Sequence, residues 1–206
     1  MTLRRIVVGL DAGPRGRAAL EPVAELAARM QAELVGLFVE DVDLLHLAGL
    51  PFAREVGYPS ATTRALDVAG MERSLRAAAD DVRRALASIA GRGPLTWSFR
   101  IARGTVLREL RAAAEHGDIV VTGALRVTLR APLAVLCSIA TAPDQVVPAA
   151  TALARLLGGG VEIMLLDGDT AAAKAWQREA RGLLAAEQGS VRVIFDAVPG
   201  KADESS

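Results

Sequence analysis

The chain of 206 residues contains one cysteine, two histidines and two lysines, and its net charge at neutral pH is zero. Each scarcity closes off a class of function. Cys137 has no partner for an internal disulfide and sits in an apolar run, where a buried, inert thiol is expected. Zero net charge excludes the global field that draws nucleic acid or an anionic membrane. No apolar run reaches the roughly 18 residues of a membrane span. The start, Met1-Thr2-Leu3-Arg4-Arg5, has a basic pair but no small-residue cleavage pattern, so it does not read as a signal peptide. Together these features point to a reducing cytoplasm. Lysine occurs only at Lys174 and Lys201, a skew toward arginine that reads as genome composition rather than function.

Catalytic and metal motifs are also missing. His46, His116 and Cys137 are too scattered to give a metal-ligand spacing. No G-x-S-x-G elbow is present, and Gly9–Gly16 lacks both the spacing and the lysine of a phosphate-binding G-x4-G-K-[S/T] loop. Asp80-Asp81 point to different sides of a helix, so they are not a paired acid site. Asp167-Gly168-Asp169 reads as a turn or helix cap. The expectation is a protein without enzymatic activity and without a metal.

What the chain does have is an α/β rhythm, with hydrophobic residues at 51%, enough for a sizeable core. Ile6–Leu10 is a continuous apolar run, as expected for a strand buried on both faces of a parallel sheet. A helix over Arg17–Met30 carries Leu20, Val23, Ala27 and Met30 on one stripe, with Pro22 expected near its first turns. Leu34–Val39 is the second strand. Asp41–Pro59 is then a long connection, unusually apolar over Leu44–Phe52. A helix of roughly Thr63–Ala90 follows, stopped by Gly91–Pro94. Thr96–Ala102 alternates Trp97, Phe99 and Ile101 with Ser98, Arg100 and Ala102, which predicts an edge strand. Thr105 begins a helix ending at His116-Gly117, and Ile119–Thr122 is the fourth strand.

Only Ala124–Pro132 then separate Gly123 from the next apolar run, Leu133–Ile139, too few residues for a helical crossover to a parallel neighbour. That strand either pairs antiparallel or leaves the first sheet to begin a second unit. An internal echo favours the second choice. About 127 residues after the first strand the order strand, turn, Ala-Pro or Gly-Pro, helix, strand returns in degraded form. Ala142-Pro143 answers Gly13-Pro14, and Ala154-Arg155-Leu156 answers Ala28-Arg29-Met30. The acid Asp11 aligns with Ala140. A helix over Asp144–Leu157, a strand at Val161–Leu166, a helix at Ala171–Glu187 and a strand at Val191–Ala197 complete the second unit, and Lys201–Ser206 is a polar tail.

At Ile6–Gly13 (IVVGLDAG), Leu34–Glu40 and Arg103–Gly123 (RGTVLRELRAAAEHGDIVVTG) the chain resembles the universal stress protein family. The resemblance covers about Leu3 to Gly123, and Leu133–Val198 looks like half of a second copy. It implies an α/β, Rossmann-like doubly wound, mostly parallel sheet with an abbreviated second repeat. The implied division is residues 1–131 for the fuller unit, 132–198 for the truncated repeat and 199–206 for the tail. It also implies ATP at the carboxyl ends of the strands. Asp11 would meet the adenine or ribose end, Val39 the base, and Gly123 would open a phosphate loop written G-x2-G-x9-G-[S/T].

The chain departs from that loop. Arg126 holds the second glycine position, the spacer runs into Leu133–Ile139, and no Gly-Ser or Gly-Thr pair follows. Without those glycines the backbone cannot approach phosphate closely. The leading expectation is therefore a non-enzymatic stress-response protein in a regulatory or interaction role, without a cofactor. The alternative binds ATP or AMP through Asp11, Val39 and Gly123, with Arg126 or Arg130 on phosphate. Leu44–Phe52 reads either as a short helix packed onto the domain or as an apolar surface for a homodimer or another protein. No nucleic acid or membrane partner is expected.

Overall fold

A run with no polar side chain, such as Ile6–Leu10, is stable only where both of its faces are covered, and that requirement organises the chain. In the computed structural model, which describes residues 5–10, 14–56, 63–114, 118–122, 133–158, 160–166 and 170–186, this run forms strand β1 (Arg5–Leu10). Helix α1 (Pro14–Arg29) leads to β2 (Glu33–Asp41) and the short helix α2 (Val42–Ala48). A small antiparallel hairpin follows, β3 (Arg54–Val56) with β4 (Thr63–Ala65). Next come α3 (Val68–Ala90), β5 (Trp97–Gly104), α4 (Val106–Ala114) and β6 (Ile119–Thr122). The last described elements are β7 (Leu133–Cys137), α5 (Pro143–Leu157), β8 (Val161–Leu165) and α6 (Ala171–Ala186).

Six strands form one sheet in the order β5-β2-β1-β6-β7-β8. The strands β5, β2, β1 and β6 are parallel, as the α/β rhythm predicts, and β5 is at the edge, as its alternation predicts. The arrangement is the expected Rossmann-like, mostly parallel sheet. Strand β7 does not begin a separate sheet, against what the echo favoured. It pairs antiparallel with β6, Val120 facing Leu136 and Thr122 facing Ala134, and β8 then runs parallel to β7. The short connection allows this because antiparallel neighbours need no crossover helix. The β7–α5–β8 unit is thus turned end for end relative to β1–α1–β2.

Strand alternation splits the core in two. Ile6, Val8, Leu34, Phe38, Ile119, Val121, Val135, Cys137 and Ile163 face α1, α3, α5 and α6. Val7, Val35, Leu37, Val39, Val120, Leu136 and Met164 share the other face with Leu110 and Ala113 of α4. On the first face α1 packs against both α3 and α5, and α5 against α6, so the two β-α-β units are joined through helices as well as strands. Cys137 is fully buried, as expected.

Two boundaries differ from the sequence reading. Helix α1 begins at Pro14, so Pro22 lies in its interior rather than near its first turns. Its missing N–H deprives the carbonyl of Ala18 of the usual helical donor; Ala18 is exposed, which leaves that carbonyl open to water. Helix α3 begins at Val68, not near Thr63, because the Asp67 carboxylate accepts from the Gly70 N–H at 2.7 Å and caps it there. Thr63–Ala65 are spent on β4 instead. The expected helix end at His116-Gly117, the strand Val191–Ala197 and the tail Lys201–Ser206 lie outside the described residues.

Gly36 of β2 is where α3 and β5 converge. A Cβ there would fall 2.7 Å from Leu86 Cδ2 and 2.8 Å from Phe99 Cδ2. Both side chains would have to move at once. Gly36→Val should therefore lower stability by about 1–3 kcal/mol, the usual penalty of overpacking. Urea denaturation measures it, and an unchanged midpoint would contradict this packing.

Candidate functional site

In an open α/β sheet a ligand crevice forms outside the carboxyl ends of the strands, where the winding direction reverses. Here that point is between β1 and β6. The chain leaves β1 for β2 on one side and returns through β5 to β6 on the other. Gly9 pairs with Leu37 on one flank and Thr122 on the other, and the Thr122 hydroxyl donates to the Gly9 carbonyl at 3.4 Å. The missing side chain of Gly9 admits α4. A Cβ there would lie 2.4 Å from Leu110 Cδ2, and Leu110 is fully buried.

Of the site residues expected from sequence, the structure places Val39 beside this crevice. It is one residue past the last β1–β2 pair, Leu10 with Phe38, and only 2% exposed, on the α4 side of the sheet. Asp11, Gly123, Arg126 and Arg130 lie outside the described residues. What is described is the topology around them. Residues 123–132 join two adjacent antiparallel strands, with Thr122 at one end and Leu133 at the other. In the nucleotide-binding pattern the same stretch would run on to a glycine-rich turn and a helix start, whose backbone N–H groups bind phosphate.

A charged cluster that the sequence reading missed lies at the carboxyl end of β2 and β5. Strand register sets Glu40 opposite Arg103. The Arg103 guanidinium donates to Glu72 of α3 at 2.6 Å and lies 3.9 Å from Glu40, while Arg76 lies 3.5 Å from Glu72. That hydrogen bond holds the Glu72 carboxyl below its ordinary range against the opposing effect of burial, and the charges of Arg103 and Arg76 add to the lowering. The same bond holds Arg103 above its usual value. Glu72 and Arg76 are four apart on a helix, a visible pairing signal; Arg103 could be added only once the strand register was known. Beside the cluster is an open cleft of about 480 Å³ lined by Leu45, His46, Leu50, Val68 and Arg103 among others.

The Leu44–Phe52 stretch contains the short packed helix of the first reading and also leaves apolar side chains exposed. Helix α2 is capped by Asp41, whose side chain accepts from the Asp43 N–H at 3.0 Å, and it seats Leu45 and Ala48 on the domain. Leu44, Leu47, Leu50 and Phe52 remain exposed, Phe52 at 75%. No helix among the described residues is long and apolar enough to cross a membrane, and among them no three potential ligands cluster as for a metal.

No family model and no curated protein sequence matches the chain. Solved structures of universal stress proteins are similar to it over nearly its whole length. A protein of that family from Burkholderia pseudomallei is 17% identical, covering 96% of this chain and 98% of that one, with a TM-score of 0.31. A universal stress protein from Archaeoglobus fulgidus DSM 4304 is 13% identical over 95% of this chain and 79% of that one, with a TM-score of 0.39. A third, solved in complex with cAMP, is 14% identical over 96% and 98%, with a TM-score of 0.25. The fold is read from the strand order and not from these loose superpositions.

The Arg103–Glu72 pair makes a pH-dependent contribution. A carboxylate whose pKa is lowered by folding stabilises the fold above its unfolded value, about 4.3 for glutamate, and loses that effect as pH falls toward its folded value. The wild-type protein should therefore exceed Glu72→Gln in urea midpoint at neutral pH, with the gap closing below about pH 4.3. Because the pair is at the surface, the gap should also shrink in high salt. A gap that widened in acid would have the wrong sign for this assignment.

Proposed function

We propose that this chain is a universal-stress-protein-like protein with a regulatory or interaction role, non-enzymatic and working without the family's phosphate loop. The motif resemblance at Ile6–Gly13, Leu34–Glu40 and Arg103–Gly123 supports the stress-response assignment. One observation carries the rest of the reading: β7 lies antiparallel against β6. A strand that returns directly alongside β6 leaves residues 123–132 to serve as a link between neighbours, where the family pattern needs a longer glycine-rich loop and a helix start. Its work would be done by surface contact. The exposed row Leu44, Leu47, Leu50 and Phe52 is the apolar surface we assign to a second copy or another protein.

The competing reading, an ATP or AMP binder using Asp11, Val39 and Gly123 with Arg126 or Arg130 on phosphate, draws on one feature. Val39 on β2 extends one residue past the last β1–β2 pair, on the flank of β1 opposite β6, and a base would be received there. Calorimetry with ATP and with AMP separates the two. Our reading expects no heat of binding at millimolar nucleotide, and no nucleotide in the mass spectrum of the purified protein. Tight binding that disappears in Asp11→Ala would overturn it.

The surface assignment has its own check. Leu47→Asp and Phe52→Asp, both at exposed positions, should leave the unfolding free energy of dilute, monomeric protein within about 0.5 kcal/mol of wild type while reducing self-association or partner capture. Light scattering and pull-down read the two effects. A large stability loss in either variant would mean that these side chains belong to the core.

A further inference from the structure

Strand β5 is eight residues long, contains no proline, and among the described residues hydrogen-bonds only to β2. Its outer edge therefore presents a row of open N–H and C=O groups, a template for another strand. The charges that usually discourage such pairing are Arg100 and Arg103. Arg103 is already held by Glu72 and Glu40 of its own chain, which leaves Arg100 as the one charge of the strand free of a described partner.

Two copies meeting at this edge about a two-fold axis normal to the sheet would pair antiparallel, and facing residues would share a face. Trp97 and Phe99 pack toward the first-face core, so Ile101 and Arg103 lie on that face too, while Arg100 and Ala102 lie on the other. An axis through Arg100 would set like charges against each other. An axis through Phe99 would pair only Trp97–Ile101, and one through Ala102 only Arg100–Gly104. An axis through Ile101 pairs the strand from Ser98 to Gly104. It sets Ile101 against its twin, Arg100 against Ala102, and Phe99 against Arg103. Ile101, 51% exposed, is then the centre of the contact. The half-buried rings of Phe99 and Trp97 in one copy come beside the Arg103 wall of the other copy's apolar cleft, with Leu50 and Val68.

We propose that β5 is a self-complementary edge, and that its occupant is the β5 of a second copy, paired antiparallel about Ile101 so that the two six-stranded sheets become continuous. This surface is centred on β5 and borders the Leu44–Phe52 row only at Leu50, which lines the same cleft as Arg103.

Cysteine cross-linking of the full chain tests it cleanly, because Cys137 is fully buried and wild type serves as the blank. Oxidised Ile101→Cys should run as a disulfide-linked dimer. Ser98→Cys should not, since in this register the two copies of Ser98 are six residues apart along the strand, roughly 20 Å. Ile101→Arg should convert a dimer to a monomer in light scattering, with the denaturation midpoint of wild type diluted until it is monomeric. A monomeric wild type at 100 µM with no Ile101→Cys cross-link would overturn the proposal. So would equal cross-linking by Ser98→Cys. A dimer that survives Ile101→Arg but is lost in Leu47→Asp would also overturn it while leaving the α2 surface standing.

Discussion

The antiparallel contact between β6 and β7 is the constraint from which the rest of the molecule follows. Up to β6 the chain winds as a parallel sheet, and every connection carries a helix or a long excursion. The step from Thr122 to Leu133 is short, and a short step between neighbouring strands permits only reversal. Reversal turns the following β-α-β unit end for end. Its strand ends then point to the opposite margin of the sheet from those of β1, β2, β5 and β6. Two ligand sites built on the same plan could not merge into one, since a whole strand length lies between them.

The same reversal explains why the chain is not two independent halves. All five residues of β7 and of β8 are buried. β7 gains its ladder on one side from β6 and on the other from β8. Rotation about an axis normal to the sheet keeps a helix on its own face, so α5 arrives on the same side as α1 and the two pack together. Most of the large apolar surface of both units is thus pooled in one core. The other face is covered more thinly, by α4 alone among the described helices, with Leu110 driven against Gly9. At the opposite margin Arg5 holds Asp118 through two hydrogen bonds, of 3.1 and 2.7 Å, tying β1 to the start of β6.

How far the sequence could be read depends on the range of the forces involved. Apolar runs and caps are local, and they located β1, β2, β6, α5 and α6 to within a few residues. The period of two in Trp97–Ala102 identified an edge strand correctly, because edge exposure is written into each side chain. The start of α3 was misplaced because Thr63–Ala65 are helix-compatible by themselves and are claimed by antiparallel pairing with Arg54–Val56, a contact outside their own segment. Strand β7 was harder still. Its residues are equally apolar whether they extend one sheet or open another, and only the shortness of Ala124–Pro132 spoke for the former. The Arg103–Glu72–Glu40 cluster depends on register between distant strands, which no local pattern encodes. Of the expected site, the place of Val39 in the second strand was legible from its apolar run, while its role, like those of Asp11 and Gly123, came only through the family pattern.

The echo itself separates packing from chemistry. What recurs in the second unit is what a buried β-α-β unit needs: apolar strands, a proline at the helix start, a helix ending in Ala-Arg. What does not recur is Asp11, replaced by Ala140. The second turn shows what fills that role instead. The Ser138 hydroxyl accepts from the Ala140 N–H at 3.2 Å, and the indole N–H of Trp176 donates to the Thr141 carbonyl at 2.8 Å. Trp176 is buried, so α6 is fastened onto the turn between β7 and α5. A turn whose backbone is consumed by its own Ser138 and by a helix laid over it has little left to offer a ligand. Ala140 itself is exposed, so packing does not forbid an acid there; the echo keeps the residues that bury the unit and drops the one that burial does not need.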